Sequence, residues 1–371
     1  MKSIQGSVRP NIQQMKPFPQ ELPDLSVEEI KEKLGMDNVY KLSFNENFNG
    51  PSPAAVKAMQ EAAAKVNFYP SSYSVELSGA LAGEFGVENT NLLLSNGADE
   101  MINLVAQTFA GPGDRVIFPS PSFGAYAVAT RMVGAEPVPV PLLDYTVDLD
   151  AMLSEVDDKV KLIYICNPNN PTGTMLEPQK VQRFLSKIPS HVMVMLDEAY
   201  MEFTPDPQRL TAINLLNQFP NIGVIRTFSK IYGLAGARVG YLIAGKETVC
   251  AVHKVRPPFN VNGVAQAGAL AALKDRKYME EMRCINDVQR QYLEGEINRM
   301  GMNFVPSCAN FLFIDTGGDA GIIYEKLVQR GIVVRPGAQF GEPGFMRVSV
   351  GSQDANRKFI SALREIMEVV V

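Results

Sequence analysis

The chain has 371 residues, 46% of them hydrophobic, and a formal charge of -5 spread along it without basic blocks. That length exceeds one ordinary core and predicts two domains, while the charge pattern argues against a nucleic-acid or polybasic membrane role and favours a small-molecule partner. No apolar run reaches the roughly 18 residues of a membrane span, and "MKSIQGSVRPNIQQ" has no apolar signal core, so a cytoplasmic protein is expected.

The first fifty residues, rich in proline and polar groups, are expected to complete a C-terminal unit or to reach a partner subunit. From about residue 91 short apolar runs alternate with helical patterns, the rhythm of a mostly parallel sheet wrapped by helices. Seven strands are predicted: "NLLLS" (91–95), "RVIFP" (115–119), "EPVPV" (136–140), "KLIYIC" (161–166), "VMVMLD" (192–197), "NIGVIRT" (221–227) and "RVGYLIA" (238–244). "ADEMINLVAQTFA" and "EPQKVQRFLSKI" carry apolar residues at helical spacing between them. Residues 264–300 hold one long helical pattern, apolar at first and then strongly charged, where the chain is expected to leave one domain for another. "NFLFIDT", "AGIIYEKLVQR", "GIVVRPG", "FMRVSVG" and a terminal helix then form a smaller α+β unit. The division is residues 1–49 as an arm and part of the small domain, 50–263 as a large α/β ligand-binding domain with the seven-stranded sheet, and 264–371 as interdomain helix and small domain.

Cys166, Cys250, Cys284 and Cys308 lie far apart without CxxC pairs and read as free buried thiols. With only His191 and His253, no metal site is expected; His191 reads as a strand-edge residue. No local motif supports Ser-His-Asp catalysis.

Four polar clusters fall at the ends of predicted strands, where open α/β sheets bind ligands. In "LLLSNGADE", Gly97 and Ala98 let backbone N–H groups approach a phosphate at a helix start, with Asp99 and Glu100 favoured by the dipole; taken alone the segment reads as a turn and cap. "CNPNNPTGT" is a stiff loop in which Asn170 can present an amide, and rigidity does not explain its consecutive asparagines. "VMVMLDEAYMEF" ends an apolar strand on Asp197, a carboxylate that is costly there without a cation or strong donor; a helix cap is the other reading. In "RTFSKIYGLAGARVGY", Thr227, Ser229 and Arg238 suit a phosphate, and Lys230 beside them suits Schiff-base chemistry. Phosphate seat, aldehyde-seeking lysine and a carboxylate for a ring nitrogen together point to pyridoxal phosphate. No GxGxxG or GxxxxGK[ST] occurs near these clusters.

At this point the chain resembles the class I/II, fold-type I aminotransferases, and among them the histidinol-phosphate aminotransferase family. The resemblance rests on "LSFNENFNGPSP", "FYP", "SNGADE", "PSPSFGAY", "NPNNPTG", "LDEAY", "RTFSKIYGLAGARVGY" and "MRVSVG", in that order and spacing. It implies that Lys230 holds the cofactor aldehyde and moves the substrate proton, that Asp197 pairs with the pyridinium nitrogen, and that Tyr200 and Asn170 bond the ring's 3′ oxygen. It gives the phosphate to the Ala98 and Asp99 N–H groups, Thr227, Ser229 and Arg238, with Tyr69 entering from the neighbouring subunit of a homodimer, and the ring face to Phe123. It places Arg347 on the α-carboxylate and Arg335, whose charge suits a phosphate, near the substrate side chain. It also marks the "NEN" segment as entering the site, with Asn47 as the side chain to follow.

Three phenylalanines stand where that family often has tyrosine: Phe18, Phe123 and Phe259. Each missing hydroxyl removes a hydrogen bond worth roughly 0.5–1.5 kcal/mol and makes the pocket more apolar. The sequence offers no account of Phe48 and Asn49 in "NENFNGPSP". The leading expectation is conversion of histidinol phosphate and 2-oxoglutarate to imidazole-acetol phosphate and glutamate. An aromatic amino-acid aminotransferase is the competitor, a lyase similar to threonine-phosphate decarboxylases comes next, and a cofactor-binding effector domain without activity is the weakest.

Overall fold

The computed structural model describes residues 4–17 and 21–370. Thirteen strands in chain order are β1 (Tyr40–Lys41), β2 (Leu92–Ser95), β3 (Arg115–Ser120), β4 (Glu136–Pro141), β5 (Val160–Cys166), β6 (Met193–Asp197), β7 (Ile222–Thr227), β8 (Gly240–Ala244), β9 (Phe304–Val305), β10 (Phe311–Asp315), β11 (Ile332–Val333), β12 (Arg335–Pro336) and β13 (Phe345–Ser349). β2 to β8 form one sheet in the order β2-β8-β7-β6-β5-β3-β4. Its ladders are parallel except the two that β8 makes, with β2 and with β7. The expected seven-stranded, mostly parallel sheet is therefore present, every predicted strand falling within two residues of its place.

Alternate residues of this sheet feed two separate cores, because successive side chains point to opposite faces. Ile163, Ile165, Val194, Leu196 and Val224 belong to one, and Leu162, Tyr164, Met195 and Ile225 to the other. A sheet buried on both faces needs near-continuous apolar strands, which is what these runs are. β9, β10, β12 and β13 form a second, antiparallel sheet in the order β12-β13-β10-β9, with its own core around Leu312, Ile314, Val348 and Phe359. The N-terminal segment joins it: β1 pairs with β11, Tyr40 opposite Ile332, and Leu42 lies in that core.

The long pattern over 264–300 is two helices, not one: Gly263–Lys274 and Arg276–Arg299. The break is at Asp275, whose side chain accepts from the Tyr278 N–H as the N-cap of the second helix. A capping carboxylate competes with continuation of the first helix, and apolar periodicity alone does not register it. The cysteines also depart from expectation. All four are free, but only Cys166 is buried; Cys250 and Cys284 are exposed on helices and Cys308 lies between. His191 is exposed in a turn just before β6. No helix among the described residues is long and apolar enough to cross a membrane.

Candidate active site

Thr227 at the end of β7, Gly240 at the start of β8 and Ser95 at the end of β2 lie in one row across three strands. The helix Gly97–Phe109 begins just beyond Ser95. A Cβ on Gly240 would stand 2.6 Å from the Ala98 nitrogen, so glycine there lets the helix start lie against the strand next to Thr227. Gly97, at φ +80°, does the same for Arg238, whose guanidinium fills the space a side chain at 97 would need. Arg238 Nη1 donates to Ser229 Oγ at 3.2 Å and Nη2 to the Asp99 carboxylate at 3.0 Å. Thr227 Oγ1 lies 3.0 Å from Ser229 Oγ and accepts from the Ser229 N–H at 3.1 Å. The N–H groups of a helix's first turn have no intrahelical acceptor, so those of Ala98 and Asp99, next to Thr227 across Gly240, add to a set of donors suited to a dianion.

Lys230 follows three residues after Thr227. Its Nζ donates to the Phe44 carbonyl at 3.0 Å and sits 5.5 Å above the Tyr200 ring. Burial, and then the charges of Arg347 and Arg238, pull its pKa down to about 8 against the opposing pull of Glu46 and Asp99. An amine titrating there is available as both nucleophile and proton carrier near neutrality.

Asp197 ends β6, buried, and burial raises its carboxyl to about 6 even though two donors favour the anion. These are the Tyr126 hydroxyl on Oδ2 at 2.7 Å and the Ala199 N–H on Oδ1 at 3.1 Å. A carboxylate held this way lacks only a cationic partner. Cys166, beside it on β5, is driven up to about 12 by burial and then by Asp197, which rules it out as a thiolate nucleophile.

The asparagine-rich loop after β5 divides by task. Asn167 Oδ1 accepts the Leu176 N–H, and Asn169 bonds Ser122, Thr172 and the Pro121 carbonyl, so these two fix the loop. Asn170 alone turns to the site, where its Oδ1 accepts from Arg347 Nη1 at 2.5 Å. Arg347 is buried on β13, bonds the Ser43 carbonyl through Nη2, and lies between the rings of Phe311 and Phe340 at 5.5 and 5.4 Å. Burial lowers its pKa to about 10. Among the described residues it has no carboxylate partner, and its Nε has no acceptor.

The other residues singled out in the sequence have these surroundings. Asp24 accepts from Arg335 at 2.8 Å and Gln339 at 2.6 Å, and the guanidinium stacks 4.8 Å over Phe44. Asn47 is a staple for the backbone, its Nδ2 on the Ile231 carbonyl at 2.8 Å and its Oδ1 on the Asn49 N–H. Phe259 is exposed at φ +56° and stacks on Tyr69, centroids 4.8 Å apart, on an apolar face. That face carries a groove of about 1170 Å³ between Val66, Phe68, Tyr69, Phe259 and Leu270. Phe123 meets the edge of Tyr126 at 5.8 Å. Phe18 lies outside the described residues.

Two residues that touch the proposed cofactor groups gained no role from the sequence. Tyr126, in "PSPSFGAY", orients Asp197, and only the packing of its helix against β3 and β4 and of its ring on Tyr164 of β5 reveals that. Asn45, two residues before the one singled out, donates to the Tyr200 hydroxyl at 3.0 Å.

An amine poised to attack a carbonyl, beside a dianion seat and a buried carboxylate at the sheet edge, fits pyridoxal phosphate, and the architecture is that of the α/β transferases that use it. Residues 37–363 match the family model for aminotransferase class I and II, and the chain belongs to that family, the pyridoxal-phosphate-dependent transaminases. It is 40% identical, over 98% of its length and all of the relative's, to histidinol-phosphate aminotransferase 2 of Carboxydothermus hydrogenoformans. Identity is also 40% to histidinol-phosphate aminotransferase of Moorella thermoacetica, over 97% of this chain and 92% of that one. The crystal structure of histidinol-phosphate aminotransferase from Sinorhizobium meliloti in complex with pyridoxal-5′-phosphate superposes with a TM-score of 0.90 at 28% identity, covering 98% of both chains.

Proposed function

We propose that the enzyme converts histidinol phosphate and 2-oxoglutarate to imidazole-acetol phosphate and glutamate, in two half-reactions at one site. The observation that carries this reading is Arg347: a buried guanidinium that, among the described residues, has no carboxylate partner and an N–H lacking an acceptor. The two amino-bearing molecules differ in side chain but each has an anion close to the amine carbon, a carboxylate in glutamate and a phosphate ester in histidinol phosphate. A planar fork of donors serves both in turn. The names of the 40% identical relatives support the phosphate-bearing donor.

Bound pyridoxal phosphate supplies an aldehyde and an electron-withdrawing ring. Lys230 is assigned the covalent hold on that aldehyde and the proton carried at the substrate's Cα, which its lowered pKa suits. Asp197, oriented by Tyr126, keeps a proton on the ring nitrogen. Tyr200 and Asn170 donate to the ring's phenolic oxygen, and Phe123 covers the ring face. The N–H groups from Gly97 to Asp99 with Thr227, Ser229 and Arg238 hold the phosphate, and Asn170 also anchors the Arg347 fork. The exposed face around Phe68, Tyr69 and Phe259 is the seat of a second copy of the chain, which brings Tyr69 to its neighbour's phosphate; an aromatic surface of this extent is an interface signature. Four free cysteines suit a reducing cytoplasm.

The test is kcat/KM for histidinol phosphate against phenylalanine, each with 2-oxoglutarate as acceptor. Histidinol phosphate is expected to lead by a factor of ten or more, about 1.4 kcal/mol. A lead for phenylalanine makes the protein an aromatic aminotransferase, and carbon dioxide release without a keto acid makes it a lyase. Lys230→Ala is expected to abolish turnover while some cofactor affinity persists through the phosphate seat.

A further inference from the structure

Asn45 is buried, and its backbone is in the left-handed region at φ +57°, a conformation asparagine tolerates better than most residues with a side chain. Each of its polar groups has a partner. Its N–H donates to Ser349 Oγ at 2.8 Å, its Oδ1 accepts from the same hydroxyl at 3.0 Å, and its carbonyl accepts from Asn310 Nδ2 at 2.9 Å. Ser349 ends β13 and Asn310 precedes β10, so the four-stranded unit sets both the backbone and the orientation of this amide. With Oδ1 turned to Ser349, Nδ2 can only face the other way, and there it donates to the Tyr200 hydroxyl across the boundary with the large sheet.

We propose that Asn45 is a positioning residue for the Tyr200 proton: by donating to that hydroxyl oxygen, it leaves the hydroxyl's own hydrogen to be given to the cofactor's phenolic oxygen. This rests on the assignment of Tyr200 to that oxygen. A hydroxyl carries one hydrogen, and an oxygen that accepts from an amide is polarised into a stronger donor. The other charged and titratable groups around the Tyr200 ring are Arg347, Lys230, Asp197 and Cys166. None of these makes a hydrogen bond to its hydroxyl, so Asn45 is the group that fixes which way the proton points. Because Ser349 and Asn310 hold Asn45, the donation depends on the four-stranded unit staying docked on the large sheet.

The readout is the absorbance titration of the cofactor-loaded enzyme against pH, whose midpoint reports the nitrogen that links Lys230 to the cofactor. A donor on the neighbouring phenolic oxygen stabilises its negative charge in the deprotonated form and lowers that midpoint. Tyr200→Phe is expected to raise it. Asn45→Asp, similar in shape and also tolerant of positive φ, turns the donor into an acceptor that captures the Tyr200 hydrogen, and is expected to raise the midpoint by about one pH unit or more. Asn45→Gly keeps the backbone conformation, guards against misfolding of the larger variant, and is expected to give a smaller rise; Ser349→Ala the same. In the Tyr200→Phe background, Asn45→Asp is expected to add little, since its route is through that hydroxyl. Fully additive shifts, or unmoved midpoints in all the Asn45 and Ser349 variants while Tyr200→Phe shifts, overturn the proposal. An unmoved midpoint in Tyr200→Phe instead removes Tyr200 from the cofactor, and the inference falls with that assignment.

Discussion

Arg335 and Arg347 stand directly opposite each other on β12 and β13, yet one is neutralised and the other is not. Asp24 takes the first in an ion pair at 2.8 Å, its carboxylate delivered by the N-terminal segment. Arg347 is left with amide and carbonyl acceptors only. Two like charges on adjacent strands repel, and burying both without a counter-ion costs several kcal/mol. Pairing one halves that cost and leaves the other free for the substrate anion proposed above.

The two arginines therefore respond differently to substitution. Arg347→Lys keeps a charge but loses the fork, and kcat/KM for both amino substrates is expected to fall about 10- to 100-fold, with thermal stability little changed. Arg335→Met leaves Asp24 buried and unpaired, and is expected to destabilise the protein by roughly 3–5 kcal/mol, with partial recovery in Arg335→Met/Asp24→Leu. Calorimetry and steady-state kinetics on the three variants check this. A large Tm loss in Arg347→Lys, or none in Arg335→Met, would contradict it.

Asp197 makes the cofactor-free protein pH-sensitive. Its folded pKa of about 6 lies above the ordinary 3.8. Between those values the folded state binds more protons than the unfolded one, so this group's contribution declines as pH rises from 4 towards 6. Asparagine cannot titrate. The apo Asp197→Asn protein is expected to gain on apo wild type over that interval, by on the order of 1–3 kcal/mol once pH exceeds about 6. Urea midpoints at about pH 5 and 7.5 measure the gap, and one that fails to widen counts against the raised pKa. The same variant is expected to lose most of its kcat, because a ring without its proton is a poorer electron sink.

Arg226, the first residue of "RTFSKIYGLAGARVGY", has a task the sequence did not signal. It is buried between Glu198 and Glu202, at 2.7 and 2.9 Å. Glu198 directly follows Asp197, and Arg226 directly precedes Thr227, so this ion pair ties together the strand ends that carry the two residues. Arg226→Met is expected to cost about 3–5 kcal/mol by leaving two buried carboxylates without their cation. A thermal midpoint within about 2 °C of wild type would show that the cluster takes up a proton instead and stays neutral.

Arg226 also marks where the sequence stopped being readable. The seven strands were visible because a sheet buried on both faces needs unbroken apolar runs. Lys230, Asp197, Asn170 and the phosphate donors were visible because polar groups at the ends of such runs have few structural reasons to be there. What joins elements far apart in the chain was not visible: Asp24 on Arg335, Tyr126 on Asp197, Asn45 on Tyr200. Each depends on two segments meeting, and a single sequence records neither the meeting nor its geometry. That Asn45 reaches Tyr200 while Asn47 holds the Ile231 carbonyl was hidden for the same reason, since the positive φ that turns Asn45 inward is a product of the fold. The break at Asp275 failed differently, because a cap and a continuing helix draw on the same residues.

Gly240 gives the sharpest test of the phosphate seat. A Cβ there would lie 2.6 Å from the Ala98 nitrogen and also 2.6 Å from the Gly97 carbonyl carbon, whereas ordinary contact begins at 3.4 Å. Both obstructing atoms are backbone, so no side-chain rotation relieves the clash, and the helix start must move by nearly an ångström. That displacement takes the Ala98 and Asp99 N–H groups away from Thr227 and Ser229, which stay on β7 and its loop. Gly240→Ala is accordingly expected to weaken pyridoxal phosphate binding at least tenfold, about 1.4 kcal/mol, in a protein that still folds. Gly236→Ala is the control: it lies in the loop just before β8 with nothing within 4 Å of the added carbon and is expected to bind as wild type does. Fluorescence titration of the apo variants measures both constants. Equal affinity in Gly240→Ala and wild type would mean that the helix start does not hold the phosphate, leaving the hydroxyls and Arg238 to do so alone.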